Sequence, residues 1–209
     1  MKLTIFGATG RTGNLLVEQA LNAGHEITVL VRDVSKLNLH NDRLNVISGQ
    51  IDDPGKVAEV VHGGEAILSA LGPVHNRPTF EISAGMENII AAMEKNGPRR
   101  LIISIGAGVG DPNGSPSILD RLITFVLKST ARYGYEDMFR AAEKVRASDL
   151  DWTIVRAPML TDEPLRGKIR ANASGQRFGP RLGRADLAQF MLMQLGDESF
   201  IRKAPVIGY

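Results

Sequence analysis

Short apolar runs recur along this chain, separated by stretches whose apolar residues fall at helical spacing. The runs are KLTIF, HEITVLVR, LNVISG, EAILSAL, RRLIISIG and DWTIVRAP. They are short and rich in β-branched residues, which marks buried strands. Between them lie a helix near 12–23, a short one in PGKVAEVVHG, and FEISAGMENIIAAMEKNG, which ends on Gly97. Short apolar strands alternating with helices build parallel βαβ units. The expected fold is α/β: a doubly wound parallel sheet with helices on both faces, forming a single domain over 1–209.

Two stretches break this rhythm. Residues 106–117, GAGVGDPNGSPS, read as a loop because glycine, proline and serine dominate. The following ILDRLITFVLKSTARYGYEDMFRAAEKVRAS reads as one or two helices with a break at Gly134. After the sixth strand, MLTDEPLRGKIRANASGQRFGPRLG is irregular, with room for one strand pair. RADLAQFMLMQL is a final helix with Asp186 near its start. No repeat and no linker divides the chain. Segments 72–80, 106–135 and 157–184 are expected to shape a ligand pocket.

Ligands of such sheets bind beyond the carboxyl ends of the strands. At the first strand end stand Gly7, Gly10 and Gly13, spaced G-x-x-G-x-x-G between strand and helix. A helix start carries unpaired N–H groups and a partial positive charge, and glycine lets a pyrophosphate approach the backbone. The alternative is a purely structural turn. After strand two, Arg32 occupies the position where NAD sites carry an acidic residue for the ribose. A guanidinium suits a 2′-phosphate, with Lys36 close behind, so NADP is expected over NAD. After strand three, Gln50 and Ile51 suit the adenine edge, while Asp52 and Asp53 suit capping of the helix at Pro54. After strand four, Ala70, Leu71 and Gly72 leave room for the nicotinamide ribose. His75 and Arg77 face phosphate or substrate, or are merely solvated. Ser104 is the hydroxyl at the end of strand five, and Pro158 and Met159 close over the nicotinamide.

Composition narrows the picture. The chain has 209 residues, 43% of them apolar, which suits one domain with its own core. Cysteine is absent, so disulfides, thiolate metal sites and cysteine nucleophiles are excluded; no metal site is expected. The net charge of +2 gives no reason to expect nucleic acid. The basic residues Arg166, Lys168, Arg170, Arg177, Arg181 and Arg184 read as a solvated face or an anion-binding patch. The first residues read as a core strand, not a signal peptide, and no apolar run is long enough to span a bilayer. A cytoplasmic protein without a membrane partner is expected, either a monomer or a small homo-oligomer.

IFGATGRTG, ITVLVRD, GMENIIAAM, TDEPLRG and RADLAQFML, in this order along essentially the whole chain, resemble the biliverdin-IXβ reductase / flavin reductase family. That family lies among the atypical short-chain dehydrogenases, beside the NmrA-like proteins. The resemblance implies a Rossmann-type domain holding NADPH, with an open pocket over the nicotinamide. It implies hydride transfer to flavins, quinones or linear tetrapyrroles. By position, Gly7, Thr9, Gly10, Arg11, Thr12 and Gly13 would cradle the pyrophosphate, and Arg32 and Lys36 would hold the 2′-phosphate. Gln50 and Ile51 would border adenine, and Leu71, Gly72 and Ser104 would line the nicotinamide end. Three departures weigh against biliverdin as the acceptor. The family's serine near the nicotinamide is Gly106 here, its adenine-site aspartate is Gln50, and a histidine after strand six is Met159.

The Tyr-x-x-x-Lys pair of ordinary short-chain dehydrogenases is also missing. Tyr133 and Tyr135 lie in the right region, but no lysine follows at the required spacing, and Lys144 is too far along. Carbonyl–alcohol chemistry needs such a group to move a proton. Hydride transfer to an electron-poor ring does not, because solvent can supply the proton. Three functions follow: an NADPH-dependent reductase of conjugated acceptors; a non-catalytic NADP-binding redox sensor; or a reductase or isomerase of a small metabolite with Ser104 or Tyr135 as proton donor.

Overall fold

The computed structural model describes residues 1–109, 124–126, 128–176 and 178–209. Most of the expected 106–117 loop, the start of the helical stretch after it, and Arg177 lie outside the described residues. The elements in chain order are β1 (Lys2–Phe6), α1 (Arg11–Asn22), β2 (Glu26–Val31), β3 (Leu44–Ser48), α2 (Pro54–Val61), β4 (Ala66–Ser69), α3 (Glu81–Asn96) and β5 (Arg100–Gly106). They continue with α4 (Arg132–Ala147), β6 (Asp151–Ala157), β7 (Met159–Thr161), β8 (Arg170–Asn172), β9 (Arg181–Gly183), α5 (Arg184–Met193) and β10 (Val206–Gly208). Among the described residues no helix is long and apolar enough to cross a membrane.

The main sheet has the order β3-β2-β1-β4-β5-β6-β10-β8. The pairings from β3 through to β10 are parallel, as expected. Two features depart from the expectation. The chain returns from α5 to add β10 beside β6, and β8 pairs with β10 antiparallel, so the far edge is mixed. The anticipated strand pair after β6 is β7 with β9, parallel and separate from the main sheet.

Alternation along the strands sends side chains to two cores. Leu3, Ile5, Val29, Leu68, Ile102 and Val155 face α1 and α5, while Phe6, Ile67, Leu101, Ile103 and Ile154 face α2, α3 and α4. On α4, Met138, Ala141, Ala142 and Val145 form the buried stripe. The expected break falls three residues before Gly134: residues 128–130 are helical, Ala131 interrupts them, and α4 then runs through Gly134. A Cβ at Gly134 would stand 3.0 Å from Pro73, so this glycine serves the close approach of the 72–80 loop. At the start of α5, buried Asp186 accepts from the amides of Arg166 (3.1 Å) and Gly167 (2.8 Å) and from the Tyr209 hydroxyl (2.7 Å). That carboxylate ties the 157–184 wall to the helix beneath it.

Candidate functional site

Because β2 lies on one side of β1 and β4 on the other, the carboxyl end of β1 is the point where the strand order reverses. The glycine turn sits there. Gly7 has φ +82°, a conformation that favours glycine, and a Cβ on it would lie 2.9 Å from the Ala70 carbonyl. A Cβ on Gly13 would lie 2.0 Å from the Gly7 oxygen. These two glycines are required by the packing of the turn itself. Gly10 differs. It is the N-cap of α1 in an extended conformation, it supplies no side-chain acceptor, and the first turn has no acidic residue. The turn closes by a 2.9 Å hydrogen bond from the Gly10 amide to the Gly7 carbonyl. Thr9, Gly10 and Arg11 are exposed beside it. The Arg11 Nη1 lies 3.3 Å from Asp162, whose other oxygen takes the buried Arg184 guanidinium at 2.6 Å.

Further along the edge, Arg32 and Lys36 are exposed after β2. The Arg32 Nη1 lies 3.6 Å from Glu81, and the Lys36 Nζ lies 3.9 Å from Asp33. Asp33 accepts from the Ser35 hydroxyl and amide, which holds its carboxyl below the usual range. Gln50 is exposed and Ile51 half-buried. The Ile51 carbonyl accepts from Asn88 at 2.9 Å, and its side chain fills the space where a Cβ on Gly85 would stand, 2.5 Å away. Helix α3 thereby fixes the Ile51 wall. Asp53, not Asp52, caps α2, accepting from the amides of Gly55 (2.9 Å) and Lys56 (3.1 Å).

Between these edges opens a pocket of about 310 Å³. Thr12 comes from the start of α1; Ala70, Leu71, Gly72 and Pro73 follow β4; Ser104 and Gly106 end β5; Ala157 and Pro158 end β6; Gly134, Tyr135 and Met138 come from α4. Its described lining holds no charged side chain and three hydroxyls, those of Thr12, Ser104 and Tyr135. A Cβ on Gly72 or Gly106 would meet nothing within 4 Å. The protein itself does not require glycine there; glycine leaves the pocket open. Tyr135 stacks on Phe139 with centroids 6.4 Å apart, and the Lys128 Nζ lies 5.4 Å from the Tyr135 ring centroid.

One expected residue is not where the sequence reading put it. Met159 is 58% exposed and does not line the pocket, because it begins β7 and pairs with Arg181. Pro158 does line it. His75 and Arg77 are exposed and outside the lining, while Asn76 between them accepts from the Tyr133 amide at 3.0 Å and donates to the Thr130 carbonyl at 3.1 Å. That clasp sets the pocket's outer wall. Lys144 pairs with Glu87 at 2.5 Å and lies outside the pocket lining. In the basic stretch, Arg166 stacks 4.7 Å from the Tyr209 centroid and Arg170 stacks 4.9 Å from that of Phe178. Glu81, Asn76, Asp162 and Asn88 went unnoticed in the sequence because each acts on a segment remote along the chain.

A mostly parallel sheet in this order, with a glycine turn and an open helix start at its switch point, defines a Rossmann-type dinucleotide-binding fold. The chain belongs to the NAD(P)H-binding family, whose model matches residues 7–198. An uncharacterised chloroplastic protein of Arabidopsis thaliana is 28% identical over 185 residues, covering 80% of this chain and 62% of that protein. The chain thus spans less than two thirds of that relative's length. A short-chain dehydrogenase/reductase of Veillonella parvula, solved in complex with NADP, superposes with a TM-score of 0.82 at 22% identity, covering 100% of this chain and 94% of the other. ChuY of Escherichia coli O157:H7, described as an anaerobilin reductase, gives 0.79 at 20% identity, covering 99% and 96%. At these identities the likeness carries the fold.

Proposed function

We propose that the chain is an NADPH-dependent reductase that passes hydride to a flavin, a quinone or a related conjugated acceptor. The observation that carries this reading is the pocket. It opens at the carboxyl ends of β4, β5 and β6 beside the glycine turn, is almost wholly apolar, and has no Tyr–Lys pair among the described residues. Such a cavity suits a flat, uncharged ring system. The resemblance to the biliverdin-IXβ reductase / flavin reductase family supports the reading, as does the reductase activity named for ChuY. The departure at Gly106, which lines the pocket and leaves it open, directs it toward flavins and quinones rather than biliverdin.

The residues fit the dinucleotide. Gly7, Thr9, Gly10, Arg11, Thr12 and Gly13 would hold the pyrophosphate at a helix start that has no side-chain cap of its own. Arg32 and Lys36 would take the 2′-phosphate, and Gln50 and Ile51 the adenine. Ala70, Leu71, Gly72, Ser104 and Pro158 would surround the nicotinamide. Bound NADPH would supply the hydride. The protein's part is to hold the acceptor flat against the ring and to exclude water with Leu71, Met138 and Leu160. Ser104 and Tyr135 can hydrogen-bond an acceptor carbonyl, while solvent supplies protons through the open mouth.

The test is NADPH oxidation followed by nicotinamide absorbance with flavin mononucleotide, a simple quinone and biliverdin, with NADH in parallel. Turnover on flavin or quinone is expected. Nucleotide binding without turnover on any acceptor would replace the reductase by a redox sensor. Ser104→Ala and Tyr135→Phe are expected to keep most activity; its abolition with binding intact would instead make the chain a metabolite reductase with a dedicated proton donor. Arg32→Ala is expected to weaken NADPH by about 1.5 kcal/mol, the value of a charge-assisted contact, and to leave NADH nearly unchanged.

A further inference from the structure

Arg32 does not stand alone. Its guanidinium lies 3.6 Å from the carboxylate of Glu81, the first residue of α3. The backbone delivers Glu81 to this place. Phe80 before it has φ +51°, a left-handed conformation that a bulky residue adopts only where the surroundings impose it, and such residues cluster at functional sites. The surroundings here are specific. Buried Asp137 on α4 accepts from the amides of Ile82 (3.0 Å) and Ser83 (2.8 Å), and the Arg140 guanidinium lies 4.1 Å from the Phe80 ring centroid. Because Asp137 caps α3, the Glu81 carboxylate is not needed as a cap, and it meets Arg32 instead.

The other cation of this corner is matched as well. Lys36 faces Asp33, but Asp33 is occupied with Ser35 and its contact with Lys36 is longer, at 3.9 Å. The two cations of this corner are thus matched by two carboxylates, and among the described residues Glu81 is the one that forms its ion pair there from another element.

We propose that Glu81 is a specificity-determining residue of the cofactor site. It serves as the resident counter-ion of Arg32, and a 2′-phosphate must displace it. Its charge holds the preference for NADPH over NADH below what Arg32 alone would give. The proposal rests on the assignment of Arg32 to the 2′-phosphate. Both side chains are more than half exposed, so water screens the pair, and the expected effect is several-fold rather than thousands-fold.

Calorimetric titration with 2′,5′-ADP, 5′-ADP, NADPH and NADH tests it in the wild type, Glu81→Gln, Arg32→Ala and the double variant. Glu81→Gln is expected to tighten 2′,5′-ADP and NADPH by about three- to fivefold and to leave 5′-ADP and NADH within about twofold. In the Arg32→Ala background the same change is expected to do much less, because the cation being competed for is gone. Unchanged or weaker binding of 2′,5′-ADP by Glu81→Gln overturns the proposal. So does a selective loss of NADH, which would make Glu81 a ribose ligand. A separate failure is visible in Arg32→Ala alone: equal losses for 2′,5′-ADP and 5′-ADP would overturn the phosphate assignment on which the proposal stands.

Discussion

Helices α1 and α2 both leave the carboxyl edge of the sheet, after β1 and β3, yet they begin in opposite ways. At α2, Asp53 places a carboxylate on the amides of Gly55 and Lys56, so the helix start carries its own anion. At α1 the cap is Gly10, with no side chain and no acidic residue in the first turn. Helix α3 sides with α2, since Asp137 supplies its carboxylate from α4. A helix start favours a negative charge by roughly 0.3–1 kcal/mol and has donors to satisfy. Where the protein supplies that charge, the end is structural. On the proposed reading, the end it leaves open at α1 is met by a nucleotide pyrophosphate.

The comparison breaks most severely at Gly13. Gly13→Ala puts a methyl 2.0 Å from the Gly7 oxygen, so the turn must shift. A loss of about 3 kcal/mol in urea unfolding is expected, together with loss of nucleotide binding. Gly10→Asp sharpens the contrast by giving α1 the kind of cap that α2 has. Gly10 has an ordinary extended backbone, but a Cβ there stands 3.2 Å from the Gly7 carbonyl oxygen, so the turn must give by a few tenths of an ångström, far less than at Gly13. NADPH affinity is expected to fall by about 2–3 kcal/mol, through repulsion and occupied donors, while thermal stability changes much less than in Gly13→Ala, because the new cap offsets the tight approach to Gly7. Stability unchanged together with full affinity would show that the pyrophosphate does not sit at this helix.

Gly72→Val separates pocket from scaffold. No atom lies within 4 Å of its added Cβ, so the melting temperature is expected to hold while turnover drops by about tenfold or more. Asp53→Ala is the smallest change. It is expected to cost about 1 kcal/mol of stability and leave nucleotide affinity untouched. A change in affinity there would erase the distinction between the two helix starts.

Much of this arrangement was legible in the linear chain. The strands could be read because β-branched runs such as EITVLV and RLIISIG must be buried on both faces, and burial on both faces implies helices between them. Gly7, Gly10, Gly13 and Asp53 could be read because turn and cap chemistry acts over a few residues. Gly134 misled because a glycine in a helical stretch has two readings, a break or a close contact, and only the position of Pro73 decides between them. Met159 misled because adjacency to Pro158 does not fix side-chain direction; pairing with β9 turned it outward. The antiparallel edge strand β8 was invisible, since its partner β10 comes from the far end of the chain.

By itself, then, the sequence determined the alternation of strands and helices, the parallel sheet, the glycine turn at its first strand end, and the cationic position after β2. All of these rest on local rules of backbone geometry, capping and hydrophobic period. Only the tertiary structure decided that Ser104 and Tyr135 share one apolar pocket, that Asn76 clasps its outer wall, that Asp162 lies between Arg11 and Arg184, and that Arg32 meets Glu81. Those pairings join residues far apart along the chain. Their distances are set by how helices pack on the sheet, which no local rule specifies.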